Sequence, residues 1–178
     1  MAKKRSKLLV VDASVMRSPG QGPTNHLASQ AAIDVLMAIR AICHRVVVTA
    51  AIEVEWDKHQ SNFARRWRTT MSQMGKIDPR PNTIDDGIRG SIESLEDKPI
   101  KRILLKDVIL VEAAQIADGI VISMDDEARR HFQALARTET ALRHVVWVNP
   151  CQDPKQILEW LKDGAKPRAK YQLFPSRR

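Results

Sequence analysis

Four acidic residues lie at or near the ends of apolar segments that are far apart in the sequence. Asp12 directly follows the run LLVV, and Asp125 directly follows VISM. Glu55 lies in the predicted helix after VVVT, and Asp107 begins the predicted helix that leads to the next strand. In an open parallel sheet, sites form beyond the carboxyl ends of the strands. The sequence therefore predicts that these four carboxylates form one acidic site.

Carboxylates that share a site cannot all stay ionised without a compensating charge. Two of them about 4 Å apart repel by about 4 kcal/mol at an effective dielectric constant of about 20. Either some are protonated or a cation holds them. Oxygen ligands without His or Cys select Mg²⁺ or Mn²⁺ over zinc, and a pair of such ions activates water for phosphodiester hydrolysis. The predicted cofactor is therefore Mg²⁺ or Mn²⁺.

Each acidic residue also has a simpler explanation, since an aspartate after a strand is often only a turn residue or a helix cap. We expect Asp126 to cap the helix that follows it, or to assist through water or a second metal. Asp118 is expected to end a helix, but it follows Asp107 by eleven residues and so shares nearly the same helical face. Glu53 and Glu55 are two residues apart on a helix, so only one of them can face the metal.

The overall charge of the chain favours a polyanionic partner. The sequence contains 29 Lys and Arg against 21 Asp and Glu, a formal net charge of +8. Neutralising phosphates with basic residues releases counterions and so drives binding to nucleic acid. A soluble protein with a basic surface explains the same balance equally well. Within NFARRWRTT, Arg65, Arg66 and Arg68 are candidate contacts to RNA phosphates.

The other residues in and near these basic segments have two readings. Phe63 and Trp67 are four residues apart, and we expect them on the buried face of an amphipathic helix rather than stacked on bases. Arg129 and Arg130 follow Asp125 by about one helical turn. They either contact the substrate phosphate or balance the acidic site.

The elements that must position these residues alternate between strands and helices. Runs of Val, Ile and Leu predict strands, and three- and four-residue apolar spacing predicts the helices between them. The predicted strands are 8–11, 46–48, 120–122 and 145–148, and the predicted helices are 27–42, 52–74, 107–117, 127–135 and 154–161. This alternation predicts an α/β fold, a three-layer α/β/α sandwich with a mainly parallel central sheet.

Domain organisation is predicted from length and composition. Residues 1–165 are expected to form one domain, in which 75–99, rich in Pro, Gly and Asp, is an insertion or a flexible segment with a weak helix near 84–95. Residues 166–178 are predicted to be a basic tail, and Thr24 or Asn25 to cap the first long helix. Both cysteines adjoin apolar segments, so we expect inert buried thiols. No secretory signal or membrane span is evident, which predicts a cytoplasmic protein.

At these residues the sequence resembles the PIN-domain family of metal-dependent ribonucleases. LLVVDASV is similar to the first strand of the family, and VVVTAAIEVEW to its second strand and acidic helix. KDVILVEAAQIADGIVISMDDEARRHF resembles the helix and strand that carry the remaining acids, and HVVWVNP the last strand. The blocks cover roughly residues 7–150 in the family order.

The resemblance implies a role for each acid. Asp12, Asp107 and Asp125 would bind the metal, and Glu55 would bind it directly or through water. The family places this Glu six positions after the residue that ends the strand, here Thr49, and so selects Glu55 over Glu53. The implied reaction is cleavage of single-stranded or looped RNA by a metal-activated water.

Two serines and several partners also follow from the resemblance. Ser14 and Ser123 would orient the carboxylates by hydrogen bonds. A toxin member of the family would bind an antitoxin protein and form a homodimer, but residues 58–106 make this chain longer than compact toxins, so a role in RNA processing stays open.

Two other functions are compatible with the sequence. One is a PIN-like module that binds nucleic acid or protein without catalysis. The other is a phosphohydrolase with an aspartate nucleophile, although the haloacid-dehalogenase pattern would require a second Asp where Ser14 stands.

Overall fold

Five short segments pair as parallel strands in one sheet. The computed structural model describes residues 6–20, 22 and 26–174. In this part of the chain the strands are β1 (Leu8–Val11), β2 (Arg45–Thr49), β3 (Ile77–Arg80), β4 (Ile120–Ile122) and β5 (Val146–Val148). Their order is β3-β2-β1-β4-β5, and every neighbouring pair is parallel. The central strands are almost wholly buried, as expected for a sheet covered on both faces.

Helices cover the sheet and complete the sandwich. They are α1 (Ala13–Arg17), α2 (His26–Ala41), α3 (Ala50–His59), α4 (Asn62–Gln73), α5 (Asp86–Glu93), α6 (Lys98–Gln115), α7 (Asp126–Leu135) and α8 (Pro154–Lys162). Helix α2 packs against α4 and α8, whereas α6 packs against α5 and α7. The predicted three-layer α/β/α sandwich with a parallel sheet is confirmed. No helix in the described ranges combines the length and the apolar character needed to span a bilayer.

The strand order reverses between β1 and β4. The chain passes from β1 outward through β2 to β3, and then returns to β4 on the other side of β1. The connections that leave β1 and β4 therefore diverge, and a crevice opens beyond their carboxyl ends. Asp12 directly follows β1, and Asp125 is the third residue after β4. The topology thus brings together two acids that are far apart in sequence.

The segment 75–99 was predicted to be an insertion or a flexible segment, and the structure corrects this. It supplies the edge strand β3, which pairs with β2 along its whole length, and α5, whose Ile88 and Ile92 are fully buried. Strand β3 reads IDPR, and a proline is tolerated at a sheet edge. The pattern misled because a polar edge strand has no apolar run.

The helix before this segment is divided, contrary to the single helix predicted over 52–74. Helix α3 ends at His59 and α4 begins at Asn62. The Ser61 hydroxyl caps α4 by accepting a hydrogen bond from the Ala64 N–H at 3.2 Å. The break allows α4 to pack against α2.

The helix after this segment is longer than predicted. Helix α6 begins at Lys98, and the Asp97 side chain caps it by accepting from the Ile100 N–H at 3.0 Å. Asp107 therefore lies in the middle of the helix and does not open it. The helix dipole, which favours an acid in the first turn, therefore does not explain the position of Asp107.

The C-terminal segment also differs from the predicted tail. In the described part, residues 166–174, Tyr171 packs edge-on against Trp160, and Leu173 is buried and donates its N–H to the Val145 carbonyl. Residues 175–178 lie outside the described residues, as do Thr24 and Asn25. The prediction of buried thiols is wrong, since Cys43 and Cys151 are both exposed.

Candidate active site

One cavity at the carboxyl edge of the sheet is lined by all four predicted acids. Asp12, Glu55, Asp107 and Asp125 come from the ends of β1 and β4 and from helices α3 and α6. The volume of this cavity, which we call the acidic cavity, is about 70 Å³. The residues that were far apart in sequence thus share a single small space.

Asp12 is held in place by two serine hydroxyls. Ser14 and Ser123 both donate to its Oδ2, at 2.5 Å and 2.8 Å. Each hydroxyl in turn accepts a backbone N–H, from Met124 and Asp125 respectively, both at 3.0 Å. This arrangement fixes one carboxylate oxygen and the serine rotamers together. It leaves Oδ1 of Asp12 without a hydrogen bond among the described residues.

Asp125 has two functions in the fold. Its Oδ1 accepts from the Ala128 N–H at 2.8 Å and so caps α7, while the residue also lines the acidic cavity. The sequence had assigned the cap to Asp126. Asp126 instead accepts from Gln152 Nε2 at 3.1 Å and does not line the cavity.

Asp107 carries a carboxylate with one buried oxygen that has no partner among the described residues. It is 6% exposed, and its Oδ2 is buried with no hydrogen-bond partner among the described residues. Burial, together with the negative charges of Asp12 and Asp125, raises the pKa of Asp107 to about 7, against an opposing effect of Lys106. An unpaired buried oxygen of this kind is costly, and it marks Asp107 as a group prepared for a ligand.

Glu55 lies at the rim, where both of its oxygens face basic groups of the same helix. Oε1 accepts from Lys58 Nζ at 2.9 Å, and Oε2 lies 3.7 Å from His59 Nε2. Glu53 does not line the cavity and is bound by Arg68 on α4. The two glutamates thus face different sides of α3, and Glu55 is the one at the cavity.

The residues at the cavity fit a hard divalent cation in type. Every acidic donor is a carboxylate oxygen, the donor preferred by Mg²⁺ and Mn²⁺, and the Asp107 Oδ2 lacks a partner. However, no three His, Cys, Asp or Glu side chains in the described ranges stand close enough to enclose a metal ion. The fit to a divalent cation therefore rests on the type of donor and on the partnerless Asp107 Oδ2, and not on a ready-made cluster of ligands.

Three cationic or titratable residues at this cavity were not predicted. Arg17 on α1, His59 on α3 and Lys106 on α6 all line it. The Lys106 ammonium lies 3.6 Å from Asp107 Oδ1, and the exposed Arg17 side chain has no partner among the described residues. The spacing of His59 four residues after Glu55 was a signal in the sequence. No such signal marked Arg17, because its position at the cavity depends on the placement of helix α1.

The weaker candidate Asp118 lies away from the acidic cavity. Its Oδ2 accepts from the Leu8 N–H at 2.7 Å, and its Oδ1 pairs with Lys7 at 3.2 Å. Leu8 begins β1, so Asp118 lies at the opposite end of that strand from Asp12. The shared helical face does not exist, because α6 ends at Gln115.

The three candidate RNA contacts on α4 have different surroundings. Arg65 and Arg66 are exposed, and they line different surface depressions. Arg68 bonds Glu53 and Asp57 and lies over the Trp56 ring at 5.6 Å, so its charge is already engaged.

The aromatics of this region are structural, as predicted. Trp67 is 3% exposed and donates to the Leu36 carbonyl, Trp56 is fully buried, and Phe63 packs partly against the core.

The two arginines after Asp125 also differ from each other. Arg129 donates to Gln152 and to the Lys170 carbonyl, and burial lowers its pKa. It therefore holds the C-terminal segment against α7. Arg130 is exposed and reaches only the Asp126 carbonyl of its own helix, at 3.4 Å, so it remains available for a phosphate.

The double role of Asp125 can be separated by mutation. Asn caps a helix as well as Asp does, so Asp125→Asn should change the free energy of unfolding by less than about 0.5 kcal/mol, whereas Asp125→Ala should cost about 1 kcal/mol. Urea unfolding at neutral pH measures both. Equal destabilisation by the two substitutions would show that the cap does not contribute.

Comparisons of the chain with protein-family models, with curated proteins and with solved structures gave no match. The resemblance to PIN domains therefore rests on the sequence blocks and residues given above.

Proposed function

We propose that this protein is a PIN-like endoribonuclease that depends on Mg²⁺ or Mn²⁺. The observation that carries the proposal is the buried, partnerless oxygen of Asp107, in a cavity that also contains Asp12 and Asp125. Lys106 lies near the other oxygen, Oδ1, whereas a purely structural carboxylate buried to this extent would have both oxygens paired. The net charge of +8 supports a polyanionic substrate.

Each residue has a defined part in this proposal. Asp12, Asp107 and Asp125 would hold the cation, with Ser14 and Ser123 fixing the Asp12 carboxylate. The bound cation would supply an activated water and positive charge opposite the transferring phosphate.

Glu55 sits at the rim of the same site. Because its oxygens already accept from Lys58 and face His59, we expect it to act through water or to release Lys58 when it binds directly.

The test is cleavage of a single-stranded RNA and of an RNA hairpin by the purified full chain. Fragments should appear on denaturing gels with Mg²⁺ or Mn²⁺ and disappear with EDTA. Binding of RNA without cleavage under any of these conditions would instead support a non-catalytic nucleic-acid-binding module. Hydrolysis of small phosphate esters alone would support the phosphohydrolase. A protein partner, a homodimer and a cytoplasmic location stay predictions from the sequence.

The two cations at the rim should contribute to turnover. A phosphodiester that approaches several carboxylates needs positive charge on the protein, and Arg17 and Lys106 supply it at this cavity. We expect Arg17→Ala and Lys106→Ala each to lower kcat/KM for RNA about tenfold, as for the loss of one charged hydrogen bond. Arg102→Ala, an exposed arginine one turn before Lys106, is the control. Equal effects of all three would mean that only net charge matters.

A further inference from the structure

A second cavity adjoins the acidic cavity at the carboxyl edge of the sheet. We call it the side cavity; its volume is about 110 Å³, and residues from β2, α3, α6 and the segment between β3 and α5 line it. Ile109 on α6 lines both cavities. A group bound in the side cavity would therefore be a direct neighbour of a group bound at the carboxylates.

The groups of the side cavity that could bind an anion are already engaged within the protein. Its one arginine, Arg89, donates through Nε and Nη2 to both oxygens of Glu112, at 2.6 Å and 2.8 Å, so the two charges cancel. The first N–H groups of α3 are also used, since Ala51 N–H bonds Asn82 Oδ1 and Ile52 N–H bonds Thr49 Oγ1. Neither Arg89 nor these two N–H groups of α3 is therefore left for a phosphate.

The side cavity nevertheless presents an unused hydrogen-bonding group. Asn82 Oδ1 is fixed by the Ala51 N–H at 3.1 Å, which orients the amide, and its Nδ2 has no partner among the described residues. Beside it, Ile84 is 65% exposed, and the Ile109 side chain is partly buried. The cavity thus combines an oriented neutral donor with apolar walls.

From this combination we propose that the side cavity binds the nucleobase next to the scissile phosphate of a single-stranded RNA, with the Asn82 amide donating to the edge of that base. The inference rests on the proposed ribonuclease function. A base is flat, neutral and apolar on its faces, and it carries acceptors on its edge. The Asn82 amide can donate to an acceptor on the edge of any of the four bases, because adenine offers ring nitrogens where uracil, cytosine and guanine also offer a carbonyl oxygen.

The experiment measures binding and cleavage separately. Short single-stranded RNAs that differ in one base, or lack it, are bound to the full chain in Ca²⁺ and followed by fluorescence anisotropy. The same RNAs are then cleaved in Mg²⁺. We expect about tenfold weaker binding when the base at one flanking position is absent, the effect of one hydrogen bond and its apolar contacts.

Two variants with matched controls make the test specific. Asn82→Asp keeps the oxygen that caps α3 but removes the donor, so it should largely abolish the difference in binding between RNA with a base at that position and abasic RNA. Asn62→Asp, at an exposed asparagine that lines neither cavity, should keep it. Ile84→Ser should weaken binding of RNAs with a base but not of abasic RNA, whereas Leu27→Ser, at a residue that is 85% exposed, should change neither.

The outcomes distinguish the two proposals. Base-dependent binding that Asn82→Asp abolishes supports the side cavity even if no RNA is cleaved, in which case only the ribonuclease function fails. Cleavage with no base dependence at either flanking position overturns the side-cavity proposal alone. A uniform loss for all RNAs in Asn82→Asp would show a charge effect and would also overturn it. Failure to bind any RNA overturns both.

Discussion

Asp12→Asn should reduce metal-dependent RNA cleavage by at least about 100-fold, since disturbing even an outer partner of a metal ligand typically costs 10- to 100-fold. The substitution removes a charge that faces Asp107 and replaces an acceptor of two serine hydroxyls with an amide. The backbone should be retained, because the Asp12 N–H bonds the Ile122 carbonyl independently of the side chain. Initial rates at saturating Mg²⁺ measure the loss.

A matched control separates this effect from a general loss of charge. Asp118→Asn removes an acid at the other end of β1, which does not line the acidic cavity, and it should leave cleavage unchanged. Circular dichroism and thermal melts establish that both variants are folded. Full activity in Asp12→Asn would overturn the assignment of this cavity as the active site.

The metal-free protein should lose stability as the pH rises from about 4 to about 7. Asp107 has an ordinary pKa of 3.8 when unfolded and about 7 when folded, so the folded state binds its proton more tightly in that interval. The favourable contribution of Asp107 to the free energy of unfolding is fully present below about pH 4, and it is lost as the pH rises through about 7. Three pKa units correspond to at most about 4 kcal/mol.

Comparison with Asp107→Asn isolates this effect from other titrating groups. His44 is buried, and burial lowers its pKa, so its contribution is lost as the pH falls through about 6.5, the opposite direction. Urea unfolding in EDTA from pH 4.5 to 8 measures the free energy of unfolding of both proteins. Relative to the wild type, that of Asp107→Asn should rise by about 1–4 kcal/mol between the acidic and the alkaline end of this range. If the free energies of unfolding of the wild type and of Asp107→Asn changed with pH in parallel, the raised pKa of Asp107 would be refuted.

Divalent cations should reverse the loss of stability that the metal-free protein shows at alkaline pH. A ligand that binds only the folded state stabilises it by mass action, so Mg²⁺ at pH 8 should raise the melting temperature of the wild type. Asp107→Asn should respond much less. Equal stabilisation of both proteins by Mg²⁺ would place the cation elsewhere.

The sequence was sufficient to predict the direction of the parallel strands, and therefore the sheet edge at which the acids meet. The apolar runs before Asp12 and Asp125 were sufficient, because a strand buried on both faces is continuous and apolar, and parallel strands end at one edge. Strand β3 was missed because Asp78 in it is buried by pairing with Arg45 and Arg80, a pairing that leaves no apolar pattern. Local patterns report burial in the sheet but do not report ion pairs.

The sequence by itself determined the fold class, the four acids at one edge and the basic character of the chain. Only the tertiary structure decided that Asp125 rather than Asp126 caps α7, that Arg68 and Arg129 are engaged within the protein, and that Arg17 and Lys106 reach the acidic cavity. The physical reason is the separation along the chain of the residues that determine each feature. Periodicity and strand ends are set by neighbours in the chain, whereas the partner of a polar side chain is set by distances between residues that only folding brings together.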